Sequence, residues 1–397
     1  LAAVKTLERK VLLKLAFVSN YLNHHQVCLC NQFYNRCEEF YFIATEKISL
    51  ARLEMGYEDL DSKYPYVIKM YEAASYRKTA YKIIATFDVV IFGACPTKLI
   101  ELRMKQRKLS FIYMERFLKK GLWYRFVPST RKKIWDRVLK YKNNNLYLLC
   151  ASAYTSYDLS LLGFRGKCYK WGYFTEVPRV NKLELMKKKD NTPCKILWVG
   201  RLINGKCTKD VIFLARKLVK GKYDFTINII GRGKYEKPLK MLVKYLGLSE
   251  KVHFLGSMTP CNVKNHMEEA NIFLFTSNFK EGWGAVLNEA MSRGCAVVSS
   301  HAVGSAPYLI EDKKNGLIYK SGSINDLYVK VSTLLKNPEL MYTYGINAYG
   351  TMVKRWSPEV AADRFIKISK NLLSGGHRWY QYGPCSKAYI IKEDWYP

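Results

Sequence analysis

Acidic residues are scarce in this chain. Of 397 residues only 33 are Asp or Glu, against 65 Lys or Arg, which leaves a formal net charge of +32 and favours a polyanionic partner: nucleic acid, an acidic membrane face or a phosphorylated substrate. Long apolar runs are missing as well. No segment offers the 18 or so uninterrupted apolar residues that a membrane span needs, so the chain is not expected to cross a bilayer. The eleven cysteines are scattered and form no CxxC framework, Cys28 and Cys30 being only two apart. That excludes the usual structural zinc pattern, and the expectation is no bound metal and a reducing cytoplasm. No repeat of 20 to 50 residues is present. Leu1 to Val18 reads as a leader running into a first strand, because Lys10 and Lys14 interrupt its apolar part and no small-residue cleavage site follows.

What is present fits two α/β domains, since 397 residues exceed what one core usually serves. Apolar, β-branched runs at Val11–Ser19, Glu39–Thr45, Phe87–Phe92, Ser110–Met114 and Leu146–Cys150 alternate with amphipathic stretches. The rhythm returns at Lys195–Val199, Phe225–Ile230, Val252–Leu255, Ile272–Thr276 and Ala296–Ser299. Strands separated by helices imply two mainly parallel, doubly wound sheets. The expected domains are 1–181 and 194–357, joined by a polar linker over 182–193. Apolar residues at 360, 361, 365, 366, 368, 372 and 373, behind Ser357 and Pro358, predict a helix over 358–374. Beyond Gly375 and Gly376 periodicity stops, and 375–397 reads as an irregular tail.

Ligands of open parallel sheets bind beyond the carboxyl ends of the strands. There the strand Lys195–Val199 runs into Gly200-Arg201-Leu202-Ile203-Asn204-Gly205-Lys206, two cations between which an anion fits. A solvated basic loop is the plainer alternative. Phe225–Ile230 runs into Gly231-Arg232-Gly233, where glycine lets backbone amides approach a ligand or merely lets the turn pack. After Ile272–Thr276 comes Glu281-Gly282-Trp283-Gly284-Ala285-Val286-Leu287-Asn288-Glu289, two carboxylates eight apart around a glycine-rich loop that leads into a helix. Its amides suit a phosphate or sugar hydroxyls; alternatively Glu281 only caps the helix and Glu289 is surface.

The order Gly-Arg…Lys, Gly-x-Gly, Val252-His253-Phe254-Leu255-Gly256 and Glu-x7-Glu, closed by Gly294-Cys295-Ala296-Val297-Val298, Gly304, Pro307 and Asn315-Gly316-Leu317-Ile318-Tyr319, resembles the donor domain of family 4 retaining glycosyltransferases. The resemblance runs from about Lys195 to Leu373. It implies the GT-B fold: two Rossmann-like domains facing across a cleft, with the C-terminal helix crossing back to the first domain. It also implies that Arg201 and Lys206 neutralise the donor diphosphate, that Glu281 lies by the donor sugar and that Glu289 bonds the ribose. Gly200, Gly231, Gly233, Gly282, Trp283, Gly284, Ala285 and Val286 complete the expected donor contacts. A nucleotide-diphosphate sugar, UDP-linked by expectation, is then a substrate, with no cofactor and no divalent ion. Tyr308 departs from the pattern, since many members carry glutamate after the proline.

In the first half, Ser19–Gln26, Tyr113–Gly121 and Lys170–Phe174 resemble a bacterial surface-polysaccharide subgroup, which implies a glycan or polyprenyl-phosphate-linked acceptor. His24, His25, Glu115 and Arg116 follow strands and are the candidate acceptor or cleft residues, although the histidines read equally as structural and Glu115 and Arg116 as a mutual pair. Residues 103–142 carry fourteen Lys or Arg against Glu115 and Asp136 alone, interleaved with aromatic side chains. This composition suggests an anionic membrane face as partner and a cytoplasmic protein peripheral at the inner face of the membrane. The alternatives are an epimerase or phosphorylase of the same fold, or a basic nucleic-acid-binding protein. The last lacks any recognition helix, zinc module or RNA-binding signature, so no nucleic-acid partner is expected.

Overall fold

The computed structural model describes residues 10–54, 58–190 and 192–397; residues 1–9 of the leader and first strand expected over Leu1 to Val18, and Asn191 of the expected linker, lie outside them. The first sheet holds β1 (Val11–Ser19), β2 (Cys37–Ala44), β3 (Val67–Lys69), β4 (Val89–Phe92), β5 (Ser110–Met114), β6 (Leu146–Cys150) and β7 (Cys168–Lys170). Its order is β3-β2-β1-β4-β5-β6-β7. The second holds β8 (Cys194–Val199), β9 (Phe225–Ile230), β10 (Val252–Gly256), β11 (Ile272–Phe275), β12 (Ala296–Ser300) and β13 (Leu317–Tyr319), in the order β10-β9-β8-β11-β12-β13. Every paired strand is parallel, and both sheets reverse direction of winding beside their first strand. That reversal opens a crevice at the carboxyl ends of β1 and β4 and of β8 and β11, where ligands of such folds sit. Two Rossmann-like sheets in this arrangement constitute the GT-B fold.

Three strands escape the sequence pattern. β3, β7 and β13 are edge strands of three residues each, too short to display a period.

The segment expected to be a polar linker contains a helix, Lys182–Lys187, with Leu185 and Met186 buried against Gly294 and Gly345. Lys189 is buried too, its ammonium donating to the carbonyls of Met267 (2.8 Å) and Ala270 (2.7 Å). Local polarity hid this docking because the contacts come from residues 78 or more positions away.

The C-terminal helix Pro358–Leu373 starts as its sequence predicts, the Ser357 hydroxyl accepting from the Val360 amide at 3.3 Å. It leaves the second domain and seats Phe365 among Phe33 (5.5 Å between ring centroids), Phe111 (4.8 Å) and Trp171 (5.6 Å) of the first. One apolar core therefore runs through both domains.

Residues 377–397 are irregular in backbone yet not loose. The Lys170 amide donates to Ser386 O (2.7 Å) and the Ala388 amide to Cys168 O (2.9 Å), so the segment lies along β7. Farther on, the Trp395 indole donates to the Tyr154 hydroxyl (2.8 Å) and the Tyr396 hydroxyl to Ile318 O (2.6 Å), touching both domains. Among the described residues no helix is long and apolar enough to cross a membrane.

Candidate functional site

The turns after β8 and β11 are stitched together. The Thr276 hydroxyl accepts from the Trp198 indole (2.9 Å) and donates to Lys206 O (2.8 Å), while the Asn278 amide donates to Gly205 O (3.0 Å). This framework delivers the Lys206 ammonium onto Glu281 Oε2, which also accepts from the Ser277 hydroxyl at 3.0 Å. Two residues expected to share a ligand are thus in direct contact, and both are largely shielded from solvent. Arg201, on the β8 turn, is exposed.

Gly231, at φ +135°, has no room for a side chain: a Cβ would overlap the Gly200 carbonyl, and one on Gly233 would overlap Leu202 O. Of the two readings of this turn, close packing of the β9 turn against the β8 turn is the one with contacts behind it. Gly284, at φ +87°, lies against the Phe275 ring for the same reason. Trp283 is fully buried, donating to Asn288 Oδ1 (2.8 Å), and Asn288 in turn donates to Tyr173 O of the first domain (2.9 Å). Ala285 and Val286 open the helix Val286–Ser292, in which Glu289 falls one turn along. Burial pushes the Glu289 carboxyl up, with Lys264 and Arg293 pulling it back. Tyr308 stacks beside Trp356 (6.2 Å) and Trp283 (6.1 Å), with its buried hydroxyl unpartnered.

The donor-type loop meets the first domain at Gly282, where a Cβ would overlap the Glu115 carboxylate and crowd the Lys119 ammonium. Glu115 pairs with Lys119 and accepts from the Tyr173 hydroxyl (2.8 Å); it does not pair with Arg116. Lys119 and Tyr173 went unflagged as site residues, since only the fold brings them to Glu115. Arg116 is no cleft residue at all. It is buried, bonded to Asp158 (3.0 Å) and to Glu393 of the tail (2.8 Å), with Tyr154 and Phe279 against its guanidinium. A strand end directs consecutive side chains to opposite sides, which sends Glu115 to the cleft and Arg116 into the core.

His24 and His25 open the helix His24–Arg36, with ring centroids 3.7 Å apart. His25 stacks on Tyr173 (5.4 Å), and burial drives its pKa down to about 3, so the ring is neutral at pH 7. Burial also lowers His24, helped by Lys264 and Arg52. The sequence contains one Asp-x-Asp, Asp59-Leu60-Asp61, but Asp61 is buried in the first domain and accepts from the Leu22 amide (2.8 Å) and Tyr71 hydroxyl (3.2 Å).

The basic stretch 103–142 divides. Arg103 belongs to the core, where its guanidinium donates to the carbonyls of Ile84, Phe87, Asp88 and Leu109 at 2.6 to 3.0 Å; Arg137 donates to Gly93 O and Cys95 O; Leu118 is buried. These residues cannot face a membrane. What remains outside is the 3-10 turn Leu122–Phe126 and one side of the helix Pro128–Arg137, where Trp123 (61% exposed), Phe126 (64%) and Trp135 (56%) stand among Lys120, Arg125, Arg131 and Lys132. Between this helix and the ends of β1, β4 and β5 lies a cavity of about 610 Å³ that Glu115 and Tyr173 also line.

Comparison with known proteins agrees with this arrangement. Residues 182–351 match the family described as "Glycosyl transferases group 1". An uncharacterized glycosyltransferase of Haemophilus influenzae is 29% identical over 160 residues, 40% of this chain and 43% of that protein. The amylovoran biosynthesis glycosyltransferase AmsK of Erwinia amylovora is 29% identical over 240 residues, 59% of this chain and 57% of its own length. Both matches span less than two thirds of the relative. The crystal structure of Anabaena HepE in complex with UDP superposes with a TM-score of 0.66 at 16% identity, covering 90% of this chain and all of that one.

Proposed function

We propose that this protein is a retaining glycosyltransferase of family 4 that moves a sugar from a nucleotide-diphosphate sugar to a hydroxyl of a glycan or polyprenyl-phosphate-linked acceptor. The contact of Lys206 with Glu281, whose neighbour Gly282 lies against Glu115 of the other domain, carries the reading. Charge grows on the diphosphate as the glycosidic bond breaks, and fixed cations stabilise it without reorganising. Glu281 holds Lys206 in place before substrate arrives and lies where the sugar would sit, and Glu289 reaches the nucleoside end. The HepE crystal structure is a complex with UDP, which supports a UDP-sugar as donor.

No enzymic nucleophile is required in this mechanism. The acceptor hydroxyl attacks the face from which the diphosphate leaves, through an oxocarbenium-like state, and a phosphate oxygen takes its proton. Neutral His25, with its pKa near 3, is too weakly basic to serve instead. The two domains enclose the reactants and limit access of water. Cations at the phosphates replace a divalent ion. The amylovoran relative supports a role in bacterial surface polysaccharide synthesis, capsule included, and the aromatic and basic face around Trp123 supports peripheral attachment to the inner face of the membrane.

The test is the product. With a UDP-sugar and a lipid-extract acceptor, the new linkage should keep the donor's anomeric configuration by proton NMR and should form in excess EDTA. Inversion, or a strict magnesium requirement, overturns the mechanism.

A further inference from the structure

The cavity beside the helix Pro128–Arg137 has an unbalanced charge. Three charged side chains line it: Glu115 at the end nearest the donor-type loop, and Lys133 and Arg137 on the helix. Glu115 is already neutralised by Lys119 and bonded by Tyr173. Arg137 donates from Nη1 and Nη2 to two neutral carbonyls, which leaves its charge without a counter-ion there and further N–H groups of its five to donate. Asp136, the single carboxylate of this helix, is engaged by Lys132 (3.8 Å) and Lys140 (3.9 Å) and does not line the cavity. Two positive charges therefore face a chamber whose walls mix hydroxyl and amide side chains such as Asn20, Ser129 and Thr130 with the apolar Met114, Phe117 and Ile134.

A neutral sugar hydroxyl would leave those charges uncompensated, whereas a phosphate accepts from both a guanidinium and an ammonium with short, charge-assisted bonds. We infer that the cavity is the acceptor subsite and that Lys133 and Arg137 hold a phosphate of the acceptor. This rests on the glycosyltransferase reading and, of the two acceptor classes proposed there, selects the phosphate-linked one and adds the residues that hold its phosphate. The acceptor hydroxyl then points towards Glu115 and the donor loop. Tyr124 belongs both to the cavity wall and to the 3-10 turn that exposes Trp123 and Phe126. An apolar tail attached to the phosphate leaves the cavity directly onto that aromatic surface.

The test uses the full chain with UDP at saturation, so that the donor cations are occupied, and calorimetric titration of geranyl diphosphate and of inorganic pyrophosphate. Geranyl diphosphate should bind, and Lys133→Glu should weaken it at least about tenfold while UDP affinity stays unchanged. Arg201→Ala should do the reverse. Tighter binding of geranyl diphosphate than of pyrophosphate assigns the phosphate to a lipid-borne acceptor; equal binding keeps the phosphate subsite and overturns the lipid tail. Unchanged geranyl diphosphate affinity in Lys133→Glu, or no binding by a protein that binds UDP, overturns the inference. Failure to bind UDP at all would instead count against the donor reading on which it rests.

Discussion

Lys206 and Glu281 come from turns 75 positions apart and are joined only because β8 and β11 are neighbours. Their separate jobs can be told apart. Glu281→Gln frees Lys206 from its partner and should depress turnover while nucleotide affinity holds; Glu289→Gln should weaken nucleotide binding. Equal effects of both on nucleotide affinity, measured by titration, would contradict the division. A second test concerns His25, whose pKa is about 3 in the fold against an ordinary 6.5. Between those values the unfolded chain takes up a proton that the folded chain refuses. Stability should therefore be full above pH 6.5 and fall as pH drops towards 3, by up to about 1.4 kcal/mol per pH unit from this ring. His25→Asn should show a shallower acid-side loss in urea melts than the parent; identical slopes would refute a buried neutral His25. At this scale the strand-end loops were legible, because glycines and paired carboxylates mark them. Glu115 and Arg116 were not separable, since only the fold decides which of two neighbours faces the cleft.

Elements with a clear period were read within a residue or two, as with β5, β6, β9 and the C-terminal helix. Those held by distant contacts were not, as the helix Lys182–Lys187 and the short edge strands show. The basic stretch was legible in part: composition revealed its charge but not that Arg103 and Arg116 satisfy buried groups. Its outer portion makes a prediction. The Leu122–Phe126 turn contributes no buried residue, so Trp123 and Phe126 stabilise little in the free protein. Co-sedimentation with vesicles containing phosphatidylglycerol should fall severalfold in Trp123→Ser with Phe126→Ser, and also when Lys120, Arg125, Arg131 and Lys132 become glutamine, with little change in thermal midpoint. Each cation near an acidic surface contributes about 1 kcal/mol. Equal binding to neutral phosphatidylcholine vesicles would refute the proposal.

On the scale of the molecule, the tail is a further tie between domains, alongside the Phe365 helix and the Gly282 loop. Glu393 reaches Arg116, whose neighbour Phe279 sits two residues before Glu281, and Tyr396 reaches β13. Nothing in its aperiodic sequence signalled this, because its contacts are to other segments. Deleting residues 377–397 leaves Arg116 with one carboxylate fewer and exposes the β7 edge. The thermal midpoint should drop by several degrees; an unchanged midpoint would show that the strap is dispensable.

Nucleotide binding tests the central claim, a donor site assembled by Arg201, Lys206, Glu281 and Glu289, most directly. A ligand that binds only the folded state stabilises it by about 2.7 kcal/mol at a hundredfold excess over Kd. Thermal unfolding of the full chain with UDP-, GDP- and dTDP-sugars should show one nucleotide class, UDP by expectation, raising the midpoint. That rise should be largely lost in Arg201→Ala and in Lys206→Ala while their ligand-free midpoints stay near the parent's. No stabilisation by any nucleotide sugar, or an undiminished rise in both variants, would contradict it.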